Sequence, residues 1–323
     1  MRAMAQRTWK AGEPLTLVEL PTPQPGKGEV LVRVQAIGVN PVDWKMRTSG
    51  PLRLAARLLG PKPPVVVGVD FAGVVEAVGA DVTRAAPGDR VVGGTDFSRG
   101  QRGSYAEAVL VREDQLCRLP DAVDITVAGA LPITGVTAWR AVVELGRIEM
   151  VLPKQRRVLI LGASGGVGQL ATQIAKRKGA FVVGVCSGRN TEMVRALGAD
   201  VVLDYNQGDV MEQARLHGPF QVVIDCAGGY SGAGARSLLG PCGRHVIVAG
   251  DEPSAMVQTV IAPRRSKSIL GRPTGALLEP LVAAVADGSL RVSIAQTLPL
   301  TSAEEAHRLS QSGRMTGKLV LLP

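Results

Sequence analysis

Four glycines in one short segment, Gly162, Gly165, Gly166 and Gly168, have the spacing of a turn that can meet a phosphate. They lie in RVLILGASGGVGQLATQIAKRKGAFVVGVCS, from Arg157 to Ser187. This stretch reads as a buried strand (Val158 to Leu161), the glycine turn, a helix and a second buried strand (Phe181 to Cys186). Small residues at the turn let the backbone N–H groups of Gly165, Gly166, Val167 and Gly168 approach a pyrophosphate, and the new helix points its positive end at it. A glycine turn alone also suits an ordinary strand–helix junction. Its place inside a βαβ unit favours a dinucleotide site, and with it hydride-transfer chemistry.

The end of the second strand bears on which dinucleotide fits. A site for the unphosphorylated form usually places Asp or Glu about 20 residues after the turn, on the ribose hydroxyls. Here that position reads Ser187-Gly188-Arg189-Asn190, with no carboxylate to repel a 2′-phosphate. Ser187 can donate a hydrogen bond and Arg189 can supply a forked cation. One such charge-assisted contact contributes roughly 1.5–3 kcal/mol, about 10–100-fold in affinity. The expected cofactor is therefore NADPH; the competing reading of Arg189 is a solvated cation at a helix start. Cys226, Ala227 and Gly228, with Ala249 and Gly250, end later strands of the same pattern, where strand C-termini line a cofactor crevice. Cys226 reads as a small packing residue rather than a nucleophile.

The elements that must position these groups fall into two sets. From about residue 129 onward strands alternate with helices: Val158–Leu161, Phe181–Cys186, Val201–Leu203, Gln221–Asp225, His245–Ala249 and Ser268–Leu270. That pattern predicts an α/β protein with a doubly wound parallel sheet. The first half is β-rich: Val30–Val34, the long apolar stretch Val65–Val78, Asp89–Val92 and Ala106–Val111 predict a barrel-like domain. A helical stretch over Asp124–Gly146 is expected to be interrupted at Pro132 and Gly135. The tail, a helix over Ser302–Ser312 and a strand over Lys318–Leu322, has no place in the parallel sheet and is expected to return to the first half. The expected domains are residues 1–128 with 272–323, and 129–271. Between the early strands, LRLAARLLG (Leu52 to Gly60) reads as a short helix docked on the surface; a substrate lid is the alternative.

Length and composition fit this picture. A chain of 323 residues exceeds one ordinary core. No apolar run is long enough to span a bilayer, so no membrane partner is expected. The N-terminus MRAMAQRTWKAGEP lacks an apolar signal core, and four widely spaced cysteines fit a reduced cytosol, so the expected location is cytoplasmic. The net charge of +9 invites a nucleic-acid reading, but the basic residues look scattered and aromatics are only 3%, which leaves few stacking platforms. Nucleic acid is not an expected partner.

Seven segments together give the chain a resemblance. GEVLVRVQAIGVNPVDWK (Gly28–Lys45), GVDFAGVVEAVG (Gly68–Gly79), PGDRV (Pro87–Val91), LPITGVTAW (Leu131–Trp139), LGASGGVG (Leu161–Gly168), LGADVVLDY (Leu197–Tyr205) and GKLVLLP (Gly317–Pro323) resemble the zinc-free, quinone oxidoreductase-like branch of the medium-chain dehydrogenase/reductase superfamily. The resemblance implies a chaperonin-10-like β-barrel catalytic domain split around a Rossmann domain, a homodimer, and a small-molecule substrate. It implies that Tyr205 joins Ser187 and Arg189 at the adenosine end, that Thr134 faces the nicotinamide, and that Asn40, Asp43 and Lys45 are presented to the cleft. Thr134 could instead bond its own backbone. Lys45 could stabilise a developing enolate or phenolate charge, or could be a surface lysine.

Zinc-dependent relatives carry a cysteine near the segment of Asn40–Asp43 and a Gly-His-Glu where this chain has Gly68-Val69-Asp70. The histidine position is thus Val69, and no cysteine precedes Cys117. The loop Gly93–Gly103, which holds four cysteines in relatives with a structural zinc, has none. No metal is expected. Branch members often carry a tyrosine soon after the NPVDWK segment, where this chain reads Ser49-Gly50-Pro51-Leu52. The expected activity is zinc-independent, NADPH-dependent hydride transfer to a quinone or to the activated C=C of an enone or enoyl compound. The alternatives are an alcohol or aldehyde dehydrogenase, or a non-catalytic NADPH- or RNA-binding protein.

Overall fold

A computed structural model describes residues 1–48, 50–248, 253–269 and 271–323. The chain divides into two compact units, Met1–Val136 with Arg272–Pro323, and Thr137–Gly271. The expected contacts of Ala249 and Gly250 lie outside the described residues.

In Thr137–Gly271, six strands form one parallel sheet in the spatial order Val201–Asp204, Phe181–Cys186, Arg157–Leu161, Phe220–Asp225, Leu239–Ile247, Ser266–Ser268. Numbered along the chain this is 3-2-1-4-5-6, with the order reversing beside Arg157–Leu161. That first strand is central because Val158, Leu159, Ile160 and Leu161 are all fully buried, as a strand covered on both faces requires. The last two strands begin earlier than the sequence suggested.

In the other unit, Glu29–Gly38 is the hub of a seven-stranded sheet. It pairs antiparallel with Asp70–Val78, Ala108–Arg112 and the tail strand Lys318–Leu322. The tail strand is joined in parallel by Ile294–Pro299, so the C-terminus does return to the first half. A separate three-stranded sheet contains Arg2–Gln6, Thr16–Glu19 and Val65–Val66. The apolar stretch 65–78, which its glycines break, forms two strands, and Gly68 makes the break at φ +103°. A Cβ there would sit 2.2 Å from the Tyr105 ring. Only glycine allows the bend and the close approach.

The helical stretch after Asp124 also differs from expectation. Ile125–Gly129 is capped by the Asp124 carboxylate, and a second helix starts at Pro132 and runs through Gly135 to Trp139. Gly135 does not interrupt it; its Cβ would press on Leu131 and Leu281, so the glycine serves packing.

Candidate functional site

The glycine turn sits at the C-terminal end of Arg157–Leu161, where the sheet order reverses. The helix Gly166–Arg177 begins there with Gly165 as its N-cap, and no side chain caps it. The first-turn N–H groups have no intrahelical acceptors by geometry, so they are available to an anion. Gly162, at φ +80°, makes the tight turn. A Cβ on Gly168 would lie 2.2 Å from the Gly162 carbonyl oxygen, which brings helix and strand to their closest approach. Gly165 has open space beside it, with only the Gly162 carbonyl oxygen at 3.5 Å from a built Cβ. A cradle that a side chain would fill is therefore present, and the turn fits a dinucleotide pyrophosphate.

The loop after the second strand carries Ser187, Gly188 and Arg189 as the sequence places them. Ser187 Oγ accepts from Asn190 Nδ2 at 3.1 Å, and Arg189 is exposed. Tyr205 is 51% exposed, and its N–H bonds the Cys186 carbonyl, which holds it beside this loop. One expectation needs correction. A carboxylate does stand here, supplied by the neighbouring strand. Asp204 Oδ2 lies 2.6 Å from where a Gly188 Cβ would be. Its other oxygen is held by the N–H and side-chain amide of Asn206, each at 2.9 Å. The sequence spacing rule looks only down the second strand; Asp204 ends the third, paired in register with Cys186. Cys226 bonds Leu161 O through its N–H, and burial pushes its thiol well up, so it stays an inert packing group. Beside it, Asp225 accepts the N–H groups of Ala227 and Gly228 and fixes the strand end.

The other unit holds a buried polar network around the helix Pro41–Thr48. Asn40 precedes that helix, Pro41 opens it, and Asp43 reaches back to accept the Asn40 N–H at 2.7 Å. This is one half of a capping box, with Asp in the acidic position; the Asp43 N–H bonds the Asn40 backbone carbonyl instead of its side chain. The Asn40 side chain is fully used: Nδ2 donates to Gly38 O and Asp70 Oδ2, and Oδ1 accepts from Lys318 Nζ at 2.5 Å. It is buried at 1% exposure and builds the network. Lys318 Nζ also donates to Val39 O at 2.8 Å and lies 3.9 Å from Asp70 Oδ2. Asp70 Oδ1 accepts the Ile133 N–H at the start of the helix Pro132–Trp139. A second chain of bonds meets the same centre. Arg47 Nη1 lies 2.8 Å from His307 Nδ1, and His307 Nε2 lies 3.0 Å from Tyr105 Oη, which lies 3.2 Å from Asp43 Oδ2. Arg47 can only donate, so His307 accepts at Nδ1 and carries its proton on Nε2. Tyr105 then accepts from His307 and donates to Asp43.

These groups titrate in opposite senses. Burial pushes Asp43 up to about 7, helped by the Asp70 charge and opposed by the Asn40 N–H. Burial likewise raises Asp70 to about 6, against the pull of Lys318. Asp43 Oδ1 has no partner among the described residues and is the atom on which a proton would rest. Burial, then the Arg47 charge, hold His307 down at about 3. Both carboxyls titrate higher folded than unfolded, so the stability they contribute is complete at low pH and is lost as pH rises through about 6 to 7. His307 does the reverse: its contribution is complete above roughly 6.5 and is lost as pH falls toward about 3. His245, which burial holds down at about 4, acts with His307 against the carboxyls between about pH 5 and pH 8, so the readout is the difference: by urea midpoint, Asp43→Asn is expected to gain stability relative to the unaltered protein as pH rises across that range. Equal slopes in the two proteins would contradict the assignment.

Thr134 and Lys45 are placed more plainly. The Thr134 hydroxyl donates to Ala130 O at 2.8 Å and Leu131 O at 3.2 Å, the self-bonding alternative. Lys45 lies on the helix Pro41–Thr48 with Nζ 5.6 Å from the centre of the Trp44 ring. Asp70, Tyr105, His307, Arg47 and Lys318 were not singled out from the sequence as site residues. A signal was present, since Asp70 lies inside the apolar stretch Val65–Val78, and buried charges come paired.

The comparisons agree with this construction. A family model described as an alcohol dehydrogenase GroES-like domain matches residues 26–121, and one described as a zinc-binding dehydrogenase matches 197–321. The chain is 35% identical over 317 residues to a chloroplastic quinone-oxidoreductase, QR1, of Triphysaria versicolor, covering 95% of this chain and 93% of the relative. It is 32% identical to the human mitochondrial NAD(P)H oxidoreductase RTN4IP1, covering 91% and 81%. A solved quinone oxidoreductase from Coxiella burnetii superposes with TM-score 0.89 at 31% identity, covering 100% and 99%. The two units are thus a GroES-like domain and a Rossmann-like domain of an oxidoreductase fold that takes a nicotinamide cofactor. The chain belongs to the quinone oxidoreductase-like members of the medium-chain dehydrogenase/reductase superfamily.

The name of one matching model raises zinc, and the donor set can be tested. Val69 stands at the expected histidine position, the segment Asn40–Asp43 holds no cysteine, and Asp70 is bound by Asn40, the Ile133 N–H and the Lys318 ammonium. No group of three or more His, Cys, Asp or Glu could hold a metal ion among the described residues. These residues do not fit a catalytic zinc, which needs three N, S or O ligands and an open position.

Proposed function

We propose that this chain is a zinc-independent, NADPH-dependent reductase that delivers hydride to a quinone or to the activated C=C of an enone or enoyl compound. The observation that carries the reading is the glycine turn, opening an uncapped helix at the reversal point of a 3-2-1-4-5-6 sheet. The bound cofactor supplies the hydride. The protein's own part is to bind and orient. First-turn N–H groups at Gly166, Val167 and Gly168 take the pyrophosphate, and Ser187 and Arg189 take the 2′-phosphate. The electrophile is activated by its own conjugation, so no Lewis acid is needed, in keeping with a donor set unsuited to zinc. The names of the quinone-reducing relatives support the acceptor class. Lys45 would steady the developing oxyanion, and a homodimer is the proposed assembly.

Asp204 supports a second reading. A carboxylate beside the Ser187–Arg189 loop can accept from ribose hydroxyls, which favours NADH. Arg189 on the loop itself favours NADPH, and the Asp204 charge is partly satisfied by Asn206. The experiment for the reaction class is turnover by purified protein, with NADPH, of a panel of quinones and enones, alongside metal analysis. Turnover without bound zinc is expected. Stoichiometric zinc with alcohol oxidation would contradict it, as would NADPH binding without turnover of any acceptor.

A further inference from the structure

The helix Gly50–Leu59 is amphipathic in the wrong sense for a docked surface helix. At 100° per residue, Leu54 and Leu58 straddle the direction opposite Ala56. Ala56 is fully buried, whereas Leu54 is 58% and Leu58 73% exposed, with Leu59 at 55%. The inward side holds Ala56 and the half-buried Leu52, while the apolar arc continues around the helix to the exposed Leu54 and Leu58. The geometry is held firmly: Arg53 donates to Trp9 O at 2.7 Å, Trp9 Nε1 to Pro61 O at 3.2 Å, and Gly60 N–H to Ala56 O at 2.8 Å. A Cβ on Gly60 would collide with Ala56 O and Trp9, so the exit from the helix is packed as well.

The charges of this segment are of one sign. From residue 44 to residue 69 the sequence holds Lys45, Arg47, Arg53, Arg57 and Lys62 and no Asp or Glu. Arg57 and Lys62 are exposed. Arg57 falls next to the leucines on the helix surface, on the same flank as Arg53. Arg47 is buried against Glu304 and Arg53 is bonded to the Trp9 carbonyl, so the exposed cations that this segment sets beside the emerging leucines are Arg57 and Lys62.

We propose that this helix docks on an anionic phospholipid surface, with Leu54 and Leu58 entering the headgroup boundary and Arg57 and Lys62 facing lipid phosphates. Interfacial helices join exposed leucines to a basic flank in this way, and binding rises with buried apolar area and with anionic lipid. The alternatives fit less well. A two-fold contact between copies would set like charges against like. A nucleic acid would find leucines where it needs aromatic stacking platforms. The sequence-based expectation of no membrane partner weighed only spanning segments. No helix of the described residues is long and apolar enough to cross a membrane, and peripheral docking requires none. The inference rests on the helix and not on the identity of the acceptor, although a lipid-dissolved quinone would be within its reach.

Flotation of the full chain with vesicles of phosphatidylcholine alone, and with about a third phosphatidylglycerol, tests it. Binding to the anionic vesicles only is expected. Leu54→Ser/Leu58→Ser should weaken it by roughly tenfold or more, and Arg57→Glu/Lys62→Glu should abolish it. Turnover of a water-soluble acceptor and the thermal transition should stay unchanged in both variants. No vesicle binding would overturn the proposal. So would binding indifferent to the leucine changes, which is charge attraction alone. A dimer that dissociates in the leucine variant, without vesicle binding, would assign the face to a second copy. Failure of turnover with vesicle binding intact would overturn the reductase reading and leave the docking face standing.

Discussion

Gly168→Ala is expected to weaken NADPH binding on the order of 100-fold, with a loss of stability of a few kcal/mol. The methyl would sit 2.2 Å from the Gly162 carbonyl oxygen and 2.8 Å from Ala163 Cα. Both are backbone atoms of the turn, so no side chain can swing aside. Relief must come from lifting the helix off the strand, and the first-turn N–H groups move with it. A misplacement of about 1 Å in a positioning group costs about 100-fold, and overpacking a tight contact costs about 1–3 kcal/mol. Gly165→Ala separates the two effects. Gly165 has φ −77° and open space, so an alanine there should leave the urea midpoint unchanged. Its methyl would instead meet the ligand and lower affinity alone. Fluorescence titration with NADPH beside urea unfolding reads both quantities. Wild-type affinity in Gly168→Ala would show that the pyrophosphate does not sit on this turn.

Lys318→Met is expected to destabilise the fold by about 3–5 kcal/mol, the usual cost of stripping one partner from a buried charge pair. Lys318 is at 5% exposure and Asp70 at 0%. The replacement removes the cation nearest Asp70 and leaves Val39 O and Asn40 Oδ1 without their shared donor. That is a large share of the roughly 5–15 kcal/mol that folds such chains. The loss should depend on pH. Once Asp70 is protonated, there is less charge to strand, so the penalty should be smaller at about pH 5 than at about pH 8. Adding Asp70→Asn should recover part of it, with a coupling of about 0.5–3 kcal/mol. Strict additivity in urea unfolding would mean that the two side chains do not act as a pair.

The parallel sheet was readable because each of its strands is a local event. Arg157–Leu161 and Phe181–Cys186 are continuous apolar runs with a glycine turn between them, and the run itself dictates burial on both faces. The tail was readable for the opposite reason: Lys318–Leu322 is a strand pattern with no helix to carry it into the parallel sheet. What escaped was what distant segments bring together. Asp204 stands beside Gly188 only because the third strand aligns with the second, and no spacing rule counts across that pairing. The network joins Asn40, Asp70, Tyr105, His307 and Lys318 from five separate stretches, and none of these stretches points to the other four. The helix Gly50–Leu59 was foreseen as a helix, but its outward face was not. LRLAARLLG has one broad apolar arc by periodicity, and only the structure shows that the arc is buried at Ala56 and emerges at Leu54 and Leu58.

Calorimetric titration of the purified chain with NADPH and NADH, repeated on Arg189→Ala, tests the central claim most directly. NADPH should bind at least about tenfold more tightly than NADH, and the difference should vanish in the variant as NADPH alone weakens. Equal affinities for the two nucleotides in the unaltered protein, or a preference that survives loss of Arg189, would contradict it and give the adenosine end to Asp204.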